Sequence, residues 1–153
     1  MRIGLISDTH GLVRPEALHF LEGSDVIVHA GDIGSAAVLE ALRAIAPLHA
    51  IRGNNDGADW AQGIPDTLAL DLDGVRLFVL HDHKTLKKWP APAGTQVVAC
   101  GHSHKPLVSR HADGFLLVNP GSAGPRRFKL PVSAAELVTD GSGSFETRLV
   151  TLL

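Results

Sequence analysis

The sequence predicts an α/β fold in which two stacked, mixed β-sheets are flanked by helices. Apolar strands alternate with amphipathic helices in the first half of the chain, which is typical of a parallel sheet. The second half contains several turn signals between apolar runs, which is typical of β-hairpins. A chain of 153 residues is long enough to bury a sizeable core, and we predict one domain over residues 1–153.

The first half is predicted to form β–α–β units. Buried strands are expected at residues 2–7, 25–30 and 48–52, because each is an apolar run bounded by turn residues. Pro15 stands where a first helical turn begins, and Gly23 closes that helix. Ser35 is placed to cap a second helix, which Pro47 ends before the third strand.

The second half is predicted to be rich in hairpins. Turns are expected at Asp73-Gly74, at Asp113-Gly114 and at residues 140–143. A short helix is expected from Thr85 to Trp89, since prolines follow it closely. A buried strand at residues 96–100 should come next.

The composition excludes several classes of protein. No apolar stretch approaches the ~20 residues that a transmembrane helix needs. The formal net charge is −2, so we expect no basic surface dedicated to binding nucleic acid. The single cysteine, Cys100, allows neither an intramolecular disulfide nor a thiolate-rich metal site. Because the first strand also leaves no room for a signal peptide, we expect a cytoplasmic protein.

Six short polar motifs occur where apolar runs stop, and five of them contain residue types that bind metals. They are Ser7-Asp8-Thr9-His10-Gly11, Ala30-Gly31-Asp32, Arg52-Gly53-Asn54-Asn55-Asp56, Leu80-His81-Asp82-His83, Cys100-Gly101-His102-Ser103-His104 and Val118-Asn119-Pro120-Gly121-Ser122. Side chains that follow the carboxyl ends of parallel strands converge on one crevice. Oxygen and imidazole ligands without thiolate suit Mn²⁺, Fe²⁺, Zn²⁺ or Ni²⁺ better than a calcium loop or a structural zinc site. The motifs therefore predict a metal site.

In order and spacing, these motifs resemble those of the calcineurin-like metallophosphoesterases. The similarity is strongest to the small single-domain bacterial and archaeal phosphodiesterases, a branch that also includes the retromer subunit relatives. It covers nearly the whole chain and implies two divalent metal ions, with Mn²⁺ expected and Fe²⁺, Ni²⁺ or Zn²⁺ as alternatives. By motif, it implies one ion bound by Asp8, His10 and His104, a second ion bound by Asn54, His81 and His102, and Asp32 as the bridge.

The resemblance implies hydrolysis of a small or generic phosphodiester by a hydroxide held between the two ions, with Asp32 and Asn54 in the catalytic centre. A phosphomonoesterase using the same site is one alternative. The other is a non-catalytic binding scaffold similar to the retromer subunit, although all seven ligand positions are filled here. No membrane partner is expected. A homodimer could form through an exposed sheet edge, but no residue in the sequence specifies whether it does.

Asn55 departs from the wider family, in which many members have a histidine that protonates the leaving alcohol. Because an amide cannot act as an acid, we hypothesise that His83 or metal-bound water supplies the proton. Asp56 follows Asn55, as in the small-phosphodiesterase branch. We expect Asn55, Asp56 and Arg126 to contact the substrate, with a surface role as the alternative for Arg126.

A second departure is Asp82, which occupies the position of the usual glycine between two histidines. It could orient His81, or it could face solvent and narrow the pocket. Histidines without motif partners are expected at the surface or as hydrogen-bonded core residues; they are His19, His29, His49 and His111. Trp60 and Trp89 are each expected to pack a loop.

Overall fold

The structure is a computed structural model that describes all residues from Met1 to Leu153, and it contains two five-stranded sheets. The strands are β1 (Arg2–Ile6), β2 (Val26–His29), β3 (Leu48–Ala50), β4 (Thr67–Leu72), β5 (Val75–Leu80), β6 (Val97–Ala99), β7 (Leu107–Arg110), β8 (Leu116–Asn119), β9 (Ser133–Thr139) and β10 (Phe145–Thr151). The helices are α1 (Pro15–Leu21) and α2 (Ala36–Arg43), with 3₁₀ helices at Asp59–Ala61 and His83–Lys87. The predicted fold class is confirmed.

The first sheet has the strand order β10-β9-β1-β2-β3. Strands β1, β2 and β3 are parallel, as the β–α–β pattern predicts, while β9 and β10 add an antiparallel edge. Pro15 begins α1, where its missing N–H costs nothing. Ser35 precedes α2, but its side chain forms no capping hydrogen bond, so the predicted side-chain cap is wrong.

The second sheet has the order β4-β5-β6-β8-β7, and its three central strands β5, β6 and β8 are parallel. The predicted hairpins join β4 to β5, β7 to β8, and β9 to β10. At the first turn, Asp73 and Gly74 both have positive φ, 52° and 83°, as a two-residue type I′ turn requires. The predicted helix near Thr85 is a 3₁₀ helix that starts earlier, because the Asp82 carboxylate accepts a hydrogen bond from the Lys84 N–H (3.1 Å).

Alternate side chains of each strand enter different parts of the core. Leu5 and Val79 pack between the two sheets, whereas Ile6 packs under the helices and Leu80 on the outer face of the second sheet. Both α-helices cover the first sheet. The outer face of the second sheet is covered by residues near Leu86 instead, so the predicted flanking helices occur on one side only. None of the helices has the length and apolarity needed to cross a membrane.

Candidate metal centre

The predicted ligands lie on loops that follow the carboxyl ends of β1, β2, β3, β5 and β6. Backbone hydrogen bonds join these loops directly. The Asp8 N–H donates to the Gly31 carbonyl (2.9 Å), and the His10 N–H donates to the Asp32 carbonyl (2.9 Å). The Gly101 N–H donates to the His81 carbonyl (2.8 Å) in the same way. The loops are therefore fixed relative to one another by the main chain.

Five of the seven predicted ligands have left-handed backbone conformations, with φ between 47° and 71°. They are Asp8, His10, Asp32, His102 and His104. Only Asp73 and Phe128 share this conformation among the other non-glycine residues. Each such residue costs about 1–3 kcal/mol and persists only where surrounding contacts enforce it. Backbone strain is therefore concentrated in the predicted metal centre.

Asp8, His10 and His104 form one group whose ligand atoms lie within 4.8 Å of each other. Asp8 Oδ1 is 3.3 Å from His104 Nε2 and 3.7 Å from His10 Nε2. The two Nε2 atoms are themselves 3.3 Å apart. Two ring nitrogens and a carboxylate oxygen thus face one point, as the ligands of a single metal ion do.

Asp8, Asp32 and His81 form a second group of the same kind, and all three side chains are buried. His81 Nε2 lies 3.3 Å from Asp32 Oδ2 and 3.8 Å from Asp8 Oδ1. His81 Nδ1 lies 2.7 Å from the Ala30 carbonyl, which only accepts, so Nδ1 carries the proton. In the neutral ring, Nε2 then presents a lone pair to two carboxylates, which is favourable only with a positive charge between them.

Two atoms of this group, Asp8 Oδ1 and His81 Nε2, are buried and have no hydrogen-bond partner. A buried polar atom without a partner is costly, and a bound cation removes that cost. The other oxygen of Asp8 is already used, since Oδ2 accepts from Ser7 Oγ (2.6 Å) and from the His102 N–H (3.1 Å). The residues present therefore fit a divalent metal ion.

The ionisation behaviour of the group is consistent with a cation site. Burial acts to raise the pKa values of Asp8 and Asp32, but the neighbouring histidines outweigh it and both values lie below their usual range. Burial acts to lower the pKa of His81, yet the nearby carboxylates of Asp32 and Asp8 raise it. The same two carboxylates that attract a proton to His81 would attract a metal ion.

Asn54 and His102, the remaining predicted ligands, are exposed at the edge of this cluster. His102 Nδ1 is 3.2 Å from Asn54 Oδ1, and the rings of His81 and His102 have centroids 5.3 Å apart. The structure thus brings all seven predicted metal residues into one neighbourhood. The assignment of each residue to an individual ion stays a prediction.

Asn55 and Asp56 have different positions from those expected of substrate contacts. Asn55 binds the Asp32 carboxylate twice, through its backbone N–H (2.9 Å) and its side-chain Nδ2 (3.1 Å). The Asp56 carboxylate is buried and accepts from the N–H groups of Ile33 (3.0 Å), Gly34 (3.1 Å) and Gly53 (2.9 Å). Asp56 therefore ties the second and third motifs together, and its predicted substrate contact is wrong because its oxygens are already bonded and buried.

The other two predicted catalytic or substrate residues form no hydrogen bond or ion pair with the cluster. Arg126 is exposed and donates to the Leu153 carbonyl (3.1 Å). His83 begins the second 3₁₀ helix, and no hydrogen bond or ion pair joins it to the cluster. Asp82 lies nearer, because its Oδ2 is 3.8 Å from His102 Nε2. The first interpretation of Asp82, that it orients His81, is therefore not supported, because the carboxylate contacts His102 instead.

His29 supports the loops of the predicted metal centre. The sequence predicted a surface or hydrogen-bonded core position for this residue, but not this supporting role. His29 is fully buried, and the Gly31 N–H donates to its Nδ1 (3.0 Å). Its Nε2 therefore carries the proton and donates to Thr9 Oγ1 (2.9 Å), which donates to the Ile33 carbonyl (2.8 Å). Burial lowers the pKa of His29 to about 4. The neutral ring thus links the first two motifs.

The sixth motif supports the loop that contains His102 and His104. Asn119 Nδ2 donates to the Gly101 carbonyl (2.9 Å) and to Ser103 Oγ (3.1 Å), while Ser122 Oγ donates to the Asp8 carbonyl (2.8 Å). Gly101 is required here, because a Cβ atom at this position would collide with Ser7 Oγ and Asp8 Oδ2. The motif is therefore structural, although it touches the site.

A comparison with known families agrees with this geometry. The family model of the calcineurin-like phosphoesterase superfamily domain matches residues 1–142. The chain belongs to this superfamily. It is 31% identical to a probable metallophosphoesterase of Methanothermobacter thermautotrophicus, over 92% of this chain and 87% of that protein. It is 33% identical to a probable metallophosphoesterase of Methanocaldococcus jannaschii, over 80% of this chain and 68% of that protein.

Several solved structures have the same fold as this chain. Vps29 of Entamoeba histolytica, solved as a complex with Zn²⁺, has a TM-score of 0.75 and 21% identity, with all of both chains covered. A structure described as a novel archaeal phosphodiesterase has a TM-score of 0.75 and 24% identity, with 98% of this chain and 100% of that chain covered. YfcE, a phosphoesterase of E. coli, has a TM-score of 0.73 and 24% identity, with both chains fully covered. At these identities the similarity establishes the fold.

Proposed function

We propose that this protein is a phosphodiesterase that uses two divalent metal ions, with Mn²⁺ expected and Fe²⁺, Ni²⁺ or Zn²⁺ as alternatives. The strongest support is the pair of buried atoms Asp8 Oδ1 and His81 Nε2, which lie 3.8 Å apart without hydrogen-bond partners. The proposed ligands are Asp8, His10 and His104 for one ion, Asn54, His81 and His102 for the other, and Asp32 as the bridge. The expected cytoplasmic location and the homodimer stay predictions.

When bound, such ions lower the pKa of coordinated water to roughly 7 and polarise phosphoryl oxygens. The residues of the protein supply the geometry. Asn55 holds the Asp32 carboxylate with two hydrogen bonds, and the Ala30 carbonyl fixes the His81 ring so that Nε2 faces the cluster. Because these groups are fixed before substrate arrives, they need no reorganisation during the reaction.

The reaction proposed is addition of water across one ester bond. A water oxygen forms a bond to phosphorus, one P–O ester bond breaks, and the departing alcohol oxygen takes a proton. Asn55 cannot supply that proton, and His83 forms no hydrogen bond or ion pair with the cluster. We therefore favour water as the proton source and keep His83 as the alternative.

The position of Asp82 favours diesters over monoesters. Its carboxylate lies 3.8 Å from His102 Nε2, at the exposed edge of the proposed centre. A phosphomonoester is largely dianionic at pH 7, since its second pKa is about 6, whereas a diester has a single negative charge. Repulsion by Asp82 penalises the dianion more. A binding scaffold is the weaker alternative, because such a role would not require the buried atoms of Asp8 and His81 to lack partners.

The experiment combines metal analysis with a matched pair of substrates. Protein reloaded with Mn²⁺ should contain two ions per chain and hydrolyse bis(p-nitrophenyl) phosphate faster than p-nitrophenyl phosphate. Asp32→Ala should reduce the diesterase rate at least 100-fold, whereas Asp59→Ala, at an exposed position of the first 3₁₀ helix, should leave it unchanged. Metal-loaded protein that hydrolyses neither ester would contradict the proposal, and a monoester preference would favour the phosphatase alternative.

A further inference from the structure

A cleft of about 240 Å³ lies directly beside the proposed metal centre. Its lining includes Asn54, His81 and His102, which are proposed ligands. The lining also includes Asp66, Asp82 and Trp89, which are not proposed ligands, and we refer to these three residues as the second wall. A phosphate held at the metal centre would therefore place one of its ester arms against this second wall.

Trp89 gives the second wall a flat apolar surface. Its backbone N–H donates to the Thr85 carbonyl (2.9 Å), which fixes the residue just after the second 3₁₀ helix. The side chain remains 38% exposed, whereas Trp60 packs against the core under the α-helices. Trp60 is thus packed as expected, whereas part of the Trp89 ring stays accessible in the cleft. Aromatic rings that line a cleft are suited to stacking against planar ligand groups.

The two carboxylates in this wall have oxygen atoms free to accept hydrogen bonds. Asp66 Oδ1 pairs with Arg52 (3.2 Å), and Asp82 Oδ1 accepts from the Lys84 N–H (3.1 Å). The second oxygen of Asp66 has no hydrogen-bond partner within the protein, and the second oxygen of Asp82 lies 3.8 Å from His102 Nε2, which is beyond hydrogen-bonding distance. Since ionised carboxylates only accept hydrogen bonds, the group that they bind must offer N–H or O–H donors.

The volume of the cleft and the charge beside it limit the class of ligand further. A volume of about 240 Å³ is below the roughly 300–1,000 Å³ of pockets for drug-sized ligands, so the cleft holds one ring system rather than a polymer. The Lys88 ammonium lies 5.0 Å from the centre of the Trp89 ring and adds a positive charge near the cleft. A ligand with a planar ring, hydrogen-bond donors and an adjacent phosphate matches these features.

We propose that the cleft binds the nucleoside arm of a small nucleotide diester. The base packs against Trp89, and amino or hydroxyl groups of the nucleoside donate to Asp66 and Asp82. This inference rests on the proposed function, because the metal centre is what holds the phosphate. It adds the chemical class of one ester arm, which neither the metal ligands nor the family membership specify.

The kinetic experiment compares two esters with the same leaving group, thymidine 5′-(p-nitrophenyl) phosphate and methyl p-nitrophenyl phosphate. Trp89→Ala should lower kcat/KM for the nucleoside ester about 10-fold more than for the methyl ester, since stacking on one aromatic side chain is worth about that factor. Trp89→Phe should recover most of the difference, and Trp60→Phe should leave the ratio unchanged. An unchanged ratio in Trp89→Ala would overturn the proposal.

A binding experiment separates this proposal from the hydrolase proposal. In the Trp60→Phe protein, Trp89 is the only tryptophan, and Zn²⁺ avoids the paramagnetic quenching of Mn²⁺. Adenosine 5′-monophosphate should change the Trp89 fluorescence, whereas ribose 5-phosphate, which lacks the base, should not. If this selectivity is found in a protein that hydrolyses no ester, the cleft assignment stands and the hydrolase proposal fails. Equal responses to both compounds would overturn the cleft assignment, whatever the activity.

Discussion

The proposed metal centre has an inner half and an outer half that are held in different ways. The inner half comprises Asp8, His10, Asp32, His81 and His104, whose side chains are at most 21% exposed. The outer half comprises Asn54 and His102, and the His102 side chain is 47% exposed. Inner ligands are fixed by other residues, as the Ala30 and Asn55 contacts illustrate. Outer ligands mainly contact each other.

This difference indicates a division of labour. A preorganised, buried set of ligands binds an ion without further ordering, whereas exposed side chains lose conformational freedom when they bind. The outer half also lines the cleft that contains Trp89. We therefore expect the inner half to determine metal affinity and the outer half to respond to the substrate. The following predictions test this division, from the largest expected effect to the smallest.

Asp8→Asn should have the largest effect, because Asp8 Oδ1 faces all three inner histidines. The amide keeps the shape but removes the negative charge, so the ion bound with His10 and His104 should be lost and activity should fall at least 100-fold. This loss exceeds the roughly 10–100-fold loss of activity that is typical when a residue that only orients a metal ligand is replaced. Metal analysis and diesterase assays measure the effect, with Asp59→Asn as the matched control. Retention of two ions would contradict the assignment.

Asn54→Ala should affect the outer half alone. We expect the metal content to fall from two ions to one, with the remaining ion bound as tightly as in the unchanged protein, and the diesterase rate to fall roughly 10–100-fold. Titration calorimetry with Mn²⁺ distinguishes the two binding steps. If the first, tighter step is the one that disappears, the division between inner and outer halves is wrong.

His29→Gln should weaken the support beneath the inner half. Because His29 links Thr9 to Gly31, loss of its ring should lower metal affinity about 10-fold, within the range for residues that orient ligands. Affinity for Mn²⁺, measured on protein with an unchanged circular dichroism spectrum, reports this effect. A variant that is less stable but binds Mn²⁺ normally would show that His29 is only structural.

We also expect His29→Gln to change how the free energy of unfolding depends on pH. The pKa of His29 is about 4 in the folded protein and 6.5 for an ordinary histidine, so the unfolded state takes up the proton first as the pH falls. The stability from the neutral ring is fully present above pH 6.5 and decreases between pH 6.5 and 4, by roughly 3 kcal/mol. Urea unfolding of metal-free protein should show the advantage of the unchanged chain over His29→Gln shrinking in this window. A constant difference would contradict the assigned neutral ring.

Asp82→Gly should have the smallest effect, limited to substrate preference. Removal of the carboxylate near His102 should raise the rate with p-nitrophenyl phosphate several-fold relative to bis(p-nitrophenyl) phosphate, because the dianion is no longer repelled. Metal content should stay at two ions. High salt should weaken the effect of the substitution, and a preference independent of both Asp82 and salt would remove this argument for diesters.

Most of the fold was predictable because strands and hairpins depend on local patterns. The run before Asp8 and the turn at Asp73-Gly74 are examples, since burial on both faces and positive φ leave signatures within a few residues. The side-chain cap of Ser35 and the placement of helices on one sheet only were not predictable in this way. Both depend on what packs nearby, which neighbouring residues in the sequence do not specify.

The sequence by itself determined which residue types stand at the ends of the strands, and hence the seven candidate ligands and the family. Only the tertiary structure decided what their neighbours do. Asp56 ties loops together rather than touching substrate, His29 supports the inner half, and Trp89 lines a cleft while Trp60 is packed away. The reason is that a ligand needs only the right donor atom at a strand end, whereas the role of a supporting residue depends on partners that folding brings from distant positions.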